Sequence, residues 1–249
     1  MEVQKHGIVL QNELLKNVFK LTDEEIAQIK YTSKLDLPRE FNRIGDFGGS
    51  IKTTKTPNKV DMADCLRVYD SMSSDEPLHM IVMQYKQLGD VKHVSEIVEI
   101  DLTGARELLF GQLTRADIEE LDRAVKAVPK GRQQTAAERA KIQELKKRLN
   151  NLSGAIHCNP KCDSKDQRRL QCSFNKFQQF LEENPARIVE RGTAAAFRGG
   201  AISGEVASGP RVFKEKIGAR PVTAVLPEEI ERKRTILTRL QARLAAPLK

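Results

Sequence analysis

The apolar positions of this chain change period several times, and each change marks an expected element. From Gly7 to Lys34 they recur at helical spacing. Leu10, Leu14, Val18 and Leu21 share one face, and Thr22-Asp23-Glu24-Glu25 reads as the cap of a second helix through Ile26 and Ile29. Arg43–Lys59 shows no apolar period. Its Gly45, Gly48, Gly49, Ser50 and Pro57, set among Arg43, Lys52, Lys55 and Lys59, predict a basic loop. Alternation follows over Asp61–Tyr69, with Met62, Leu66 and Val68 on one face of a predicted strand, and Asp70–Pro77 reads as a polar turn. A second strand is predicted at His79–Lys86. It is apolar from Met80 to Met83 and ends in Gln84-Tyr85-Lys86, as a buried strand does when its last residues surface at a cleft.

Helical spacing predicts three further helices, at Ser95–Phe110, Thr114–Val128 and Thr135–Leu152. Thr114-Arg115-Ala116-Asp117 reads as a capping box, and Pro129-Lys130-Gly131 breaks the pattern. The last of the three carries Ile142, Leu145, Leu149 and Leu152 on one stripe, its charged remainder being a solvated face. Together they suggest a helical hairpin, inserted over about 95–152 and laid on one side of a sheet. Further on, a strand is predicted at Gln167–Phe174 and a short helix at Lys176–Glu183. Arg191–Arg220 is expected to be a basic surface loop with short strand, and Glu228–Leu244 a final helix. With no repeat and no obvious linker, a single domain over residues 1–249 is expected, of mixed α+β class with a central mixed sheet flanked by helices.

Composition narrows the function. Hydrophobic residues at 39% and charged residues at 31% suit a globular chain rather than a disordered one. No apolar run is long enough to cross a bilayer, and Met1-Glu2-Val3-Gln4 lacks the layout of a secretory signal, so a cytoplasmic protein is expected. The net charge of +8 favours a polyanionic partner, because each cation set on a phosphate releases a counterion. Absence of Trp and only 5% aromatic residues argue against a platform for stacking single-stranded bases, which tilts the choice toward duplex DNA. The four cysteines are too few for a disulfide scaffold. His157, Cys158, Cys162 and Cys172 are zinc-type ligands, but their spacing matches no frequent zinc pattern and zinc is not expected.

Phosphodiester hydrolysis needs a hard cation, an oxygen-rich site to hold it and an ammonium near the attacking water. On strands this asks for a carboxylate at the start of one, and an acid or amide two residues before a lysine on the next, since a spacing of two keeps both side chains on one face. Gln84 and Lys86 meet that rule, with Asp61 or Asp64 on the preceding strand.

Four stretches then carry a resemblance. They are Gly7–Phe19 (GIVLQNELLKNVF), Gly48-Gly49-Ser50 leading to Lys59-Val60-Asp61, Gln84-Tyr85-Lys86 followed by Lys92-His93-Val94-Ser95, and Ala207-Ser208-Gly209-Pro210-Arg211 with Lys214 and Lys216. In order and spacing the chain resembles the PD-(D/E)xK nuclease fold, and more narrowly the MspI-like type II restriction endonucleases. It departs from them in having an amide, Gln84, where an acid is usual, and an insertion between Ser50 and the aspartate. The resemblance implies a Mg²⁺-dependent site-specific deoxyribonuclease. Such an enzyme hydrolyses double-stranded DNA at a short, palindromic site of 4–6 base pairs, G/C-rich sites such as CCGG being typical, and leaves 5′-phosphate and 3′-hydroxyl ends. It implies Asp61, Gln84 and the backbone carbonyl of Tyr85 as metal ligands, with Asp64 the alternative to Asp61. Lys86 would position the water, and Glu13 would orient a metal-bound water or Lys86. Lys52, Lys55, Lys92, His93, Ser95, Ser208, Arg211, Lys214 and Lys216 would contact DNA. A partner DNA methyltransferase is implied, outside any stable complex, and either a monomer or a homodimer. The residues alone leave two other readings open: a non-catalytic DNA-binding protein, and a structure-specific repair or recombination nuclease.

Overall fold

The computed structural model describes residues 5–29, 35–72, 76–162 and 167–207. Ser208, Arg211, Lys214, Lys216 and the helix expected at Glu228–Leu244 lie outside them.

The first predicted helical stretch holds α1 (Lys5–Asn17) and α2 (Asp23–Gln28). Thr22 caps α2 reciprocally. Its hydroxyl accepts the Glu25 N–H at 3.2 Å, and the Glu25 carboxylate accepts the Thr22 N–H at 2.8 Å. The expected basic loop, by contrast, contains β1 (Gly48–Thr54). Its glycines serve packing rather than turning: a Cβ on Gly48 would come within 2.4 Å of the Leu35 side chain. The strand expected through Tyr69 also ends early. After β2 (Lys59–Asp64), the Asp64 carboxylate accepts the Arg67 N–H at 2.9 Å and opens α3 (Cys65–Ser71), so Leu66 and Val68 sit on a helix.

The predicted apolar strand is β3 (Leu78–Leu88), and it turns back as β4 (Val91–Asp101). That overturns the helix expected from Ser95, of which only α4 (Arg106–Phe110) is helical. Ile97, Val98 and Ile100 are branched residues buried on both faces of a strand, a pattern that imitates helical spacing over a short window. Helices α5 (Arg115–Lys126) and α6 (Ala136–Leu152) match expectation, each with a capping box, on Thr114–Asp117 and Thr135–Glu138. The helical insertion therefore begins at α4, after β4 has paired. Then come β5 (Ile156–Cys162), which was not foreseen, β6 (Arg168–Asn175), α7 (Phe177–Glu183), β7 (Ile188–Gly192) and β8 (Glu205–Ala207).

Two sheets result. The larger runs β1-β3-β4-β7, with β1 parallel to β3 and the other pairs antiparallel; β8 joins the same edge of β4 as β7, nearer the hairpin. The smaller runs β2-β6-β5, all antiparallel. Each face of the large sheet has its own core. Ile81, Met83 and Ile97 cluster with Leu10, Leu14, Leu15 and Val18 along α1 and its C-terminal end. Met80, Val82, Val98 and Ile100 cluster with Val60 and Met62 of β2, with β5 and β6, and with Ile118, Leu121, Ile142 and Leu149 of the helical hairpin. Each such aliphatic side chain contributes about 1.5–3 kcal/mol by leaving water. The smaller sheet thus lies against the larger one, and β2 is anchored there by Val60 and Met62 while Lys59 and Asp61 point outward.

Candidate functional site

A cleft of about 740 Å³ runs beside β1, the edge strand of the larger sheet. One wall is β1 itself, from Ser50 to Thr54, with Lys55 and Thr56 of the following turn. The smaller sheet and its helix add Lys59, Asp61 and Asp64, Arg67 of α3, and Arg169 and Gln171 of β6. Gly7, Ile8 and Gln11 of α1, Asp36 and Tyr85 complete it. Cations outnumber carboxylates, with Lys52, Lys55, Lys59, Arg67 and Arg169 set against Asp36, Asp61 and Asp64.

Asp61 and Asp64 are separated by their surroundings. The Asp61 side chain is 86% exposed in the cleft, with the Lys59 ammonium 3.7 Å from one oxygen. Asp64 is committed to capping α3. Between them Ala63 takes a φ of +76° at a bulge, where the β2–β6 register slips. Such a bulge re-aims the side chains on either side of it. Of the two, Asp61 has the freer carboxylate.

Gln84 and Lys86 are placed differently from expectation. The strand beside theirs is β1, with Thr54 opposite Gln84, whereas Asp61 belongs to β2 in the smaller sheet. The turn from Thr54 to Lys59 nevertheless brings the start of β2 to the same end of β1, where the Thr54 hydroxyl donates to the Lys59 carbonyl at 2.6 Å. Tyr85 reaches the cleft, while Gln84 and Lys86 are not among its lining. Lys86 is exposed. Gln84 is 7% exposed, and its amide nitrogen is buried with no hydrogen-bond partner. A buried polar atom left idle costs about 1–3 kcal/mol.

Other expected residues are scattered. Lys52 and Lys55 line the cleft. Lys92 is buried, its ammonium over the Tyr85 ring at 4.9 Å from the centroid. His93 meets Glu205 at 3.0 Å, and the Ser95 hydroxyl donates to the Gln84 carbonyl at 3.2 Å. Glu13 accepts from the Ser203 N–H at 3.0 Å and from its hydroxyl at 2.7 Å, tying α1 to the segment before β8. Of the cysteine group, Cys158 and Cys172 are cross-strand partners, and the Cys158 sulfur lies 3.8 Å from that of Cys65. His157 alternates to the opposite face of β5. The Cys65 thiol and burial push the Cys158 thiol well above the ordinary range, so it stays protonated.

Sequence reasoning missed Asp36, Arg67 and Arg169 as cleft residues. Only Arg169 left a trace, a charge beside Leu170 on a strand whose other face is buried. It also missed a buried ionic cluster on the α1 side of the sheet. Glu99 is fully buried, and its carboxylate accepts from both Nε and Nη2 of Arg198, the latter at 2.8 Å, and contacts His79 Nδ1 at 2.6 Å. Burial would push the Glu99 carboxyl up, but the bonds from His79 and Arg198 and the Arg198 charge overcome it and hold the group below the usual range.

As for the metal that the sequence implies, no three His, Cys, Asp or Glu side chains converge into a ready cage among the described residues. Mg²⁺ does not require one. It takes one or two carboxylates, and waters and substrate phosphates supply the rest. Asp61 is an exposed carboxylate of that kind, whereas Asp36 is paired with Lys52 and Asp64 caps α3. The chain matches no protein-family model, no curated protein and no solved structure.

Proposed function

We propose that the chain hydrolyses phosphodiester bonds of double-stranded DNA at a short site, as a Mg²⁺-dependent type II restriction endonuclease with a PD-(D/E)xK-like core. The observation that carries this reading is the cleft: an exposed carboxylate, Asp61, beside Lys59, in a lining that also includes Lys52, Lys55, Arg67 and Arg169. Phosphate oxygens meet the cations, which fix the backbone without reading sequence. Asp61 would hold the ion; the resemblance adds Gln84 and the Tyr85 carbonyl as further oxygen donors, of which Tyr85 lines the cleft with Asp61 and Gln84 does not. When bound, Mg²⁺ supplies a more acidic water and neutralises charge gathering on the phosphate. By the resemblance Lys86, two residues along the strand from Gln84, would orient the attacking water, although it is exposed and lies outside the cleft's lining. Glu13, bonded to Ser203, acts by holding the segment that leads into β8 rather than by touching the reacting atoms.

The same reading makes the partner a duplex with a short, palindromic, G/C-rich site, and calls for a methyltransferase that protects the host's own copies of that site. It fits a cytoplasmic monomer or homodimer formed from one domain, and no helix among the described residues is long and apolar enough to cross a membrane. The deciding experiment is digestion of unmodified plasmid with Mg²⁺. Discrete fragments are expected, and Asp61→Asn should abolish them while leaving binding intact. Smears indifferent to sequence, or preference for branched substrates, point instead to a repair or recombination nuclease. One observation favours a second reading, a non-catalytic DNA-binding protein: Gln84 and Lys86 do not line the cleft with Asp61. It predicts binding without cleavage under any divalent ion.

A further inference from the structure

Lys52 is held in place before any ligand arrives. Its ammonium donates to Asp36 Oδ2 at 2.8 Å and to the Ile51 carbonyl at 3.2 Å. Asp36 is itself fixed, because the same oxygen accepts the Ile51 N–H at 2.8 Å and lies 3.3 Å from the Ser50 hydroxyl. The segment carrying Asp36 is tied to β1 by the Leu37–Gly49 bridge, so both ends of the contact are on rigid backbone. Lys52 and Asp36 are 18% and 30% exposed, and both line the cleft. A lysine ammonium carries three hydrogens. Two are committed here, which leaves one for an acceptor arriving in the cleft.

We infer that Lys52 is a preset phosphate-binding group of the cleft, and that Asp36 is its positioning residue. The inference rests on the proposed function, since the phosphate it concerns is that of a DNA backbone. A lysine free in solvent loses rotamer freedom when it meets a phosphate; one already fixed loses little. The cost is a carboxylate inside a site for a polyanion, and that cost makes the idea testable by sign. If Asp36 acts only through its charge, removing that charge tightens DNA binding. If it positions Lys52, removing it weakens binding despite the more favourable electrostatics.

The experiment uses the full chain and a fluorescein-labelled duplex that carries its cleavage site, with binding read by anisotropy in Ca²⁺ and cleavage in Mg²⁺. Lys52→Ala is expected to weaken binding about tenfold and to lower the slope of log K against log salt by about 0.9, one phosphate contact. Asp36→Asn keeps the shape and is expected to weaken binding several-fold. Lys52→Arg should restore most of the salt slope. The double variant should be no worse than Lys52→Ala alone, because both changes remove the same contact. Thermal melting of each variant separates loss of fold from loss of contact, and Asp36→Ser serves as the second variant if Asp36→Asn unfolds. A wild type that binds and cuts, beside an Asp36→Asn variant that binds equally or more tightly, overturns the inference alone. Additive losses in the double variant do the same. A wild type that retains no duplex overturns the function reading, and this inference with it.

Discussion

Glu99 shows how a single residue can be buried, doubly paired and invisible in sequence. Nothing around it in His93–Asp101 marks it as different from the other charges of that stretch, yet it is fully buried and bonded to Arg198 and His79. The partners are distant in the chain, and only folding makes them neighbours. Glu99→Gln keeps the shape but leaves the Arg198 guanidinium facing a neutral amide, so a loss of about 3 kcal/mol is expected. The pH dependence has a definite sign. The Glu99 carboxyl is held below its ordinary value in the folded state, so below that ordinary value the unfolded chain binds the extra proton. Its contribution is complete above the ordinary glutamate range and is lost as pH falls through the lowered folded value. Urea titrations across acid pH should show wild-type stability falling through that window, and Glu99→Gln should flatten this part of the curve. A variant that keeps the same acid slope would remove Glu99 as its source. Asp61 was legible for the opposite reason: alternation in Lys59–Met62 turns it outward whatever sheet the strand joins.

At the scale of elements, the sequence spoke clearly where local chemistry decides. Thr22 and Thr114 cap helices as their spacing to Glu25 and Asp117 requires. It misled where tertiary packing decides. Gly48 and Gly49 read as loop, but they let β1 lie close against Leu35 and Leu37. Leu66 and Val68 alternate like a strand until the Asp64 cap starts a helix. His157–Cys162 draws notice only for metal-type ligands, which its spacing sets aside, and the strand it forms by pairing with β6 goes unseen. One junction offers a sharp test of element packing. Gly111 at the end of α4 has a φ of +58°, and a Cβ there would meet the Leu152 carbonyl oxygen at 2.5 Å; a Cβ on Gly154 would meet the Leu108 carbonyl oxygen at 2.3 Å. The two turns lock together through Gln112 N–H to Leu152 O and Ala155 N–H to Leu108 O, at 3.0 and 3.3 Å. Backbone rather than a flexible side chain opposes the new atom. Gly154→Ala is therefore expected to cost about 3 kcal/mol, read as a lower urea midpoint with unchanged slope.

For the whole molecule, the question is whether the net charge of +8 acts as a diffuse field or through the cleft. The two differ in how binding responds to salt and to individual substitutions. A diffuse field attracts DNA weakly, and losing any one surface cation changes affinity little. Discrete contacts release counterions in proportion to their number, about 0.9 in slope for each phosphate neutralised. The cleft offers Lys52, Lys55, Lys59, Arg67 and Arg169, so a slope of about −4 is expected if most of them meet phosphates. Replacing Lys55 and Arg169 together, both of which line the cleft, should reduce that slope by about 2. Replacing Lys130 and Lys147, which lie on the helical hairpin and line no part of the cleft, should leave it unchanged although the net charge falls equally. Chelating Mg²⁺ with EDTA should abolish cleavage and preserve most of the binding, since the cations rather than the ion carry affinity. Equal effects from the two double variants would assign binding to the general field, and the cleft would then lose its claim as the nucleic-acid interface.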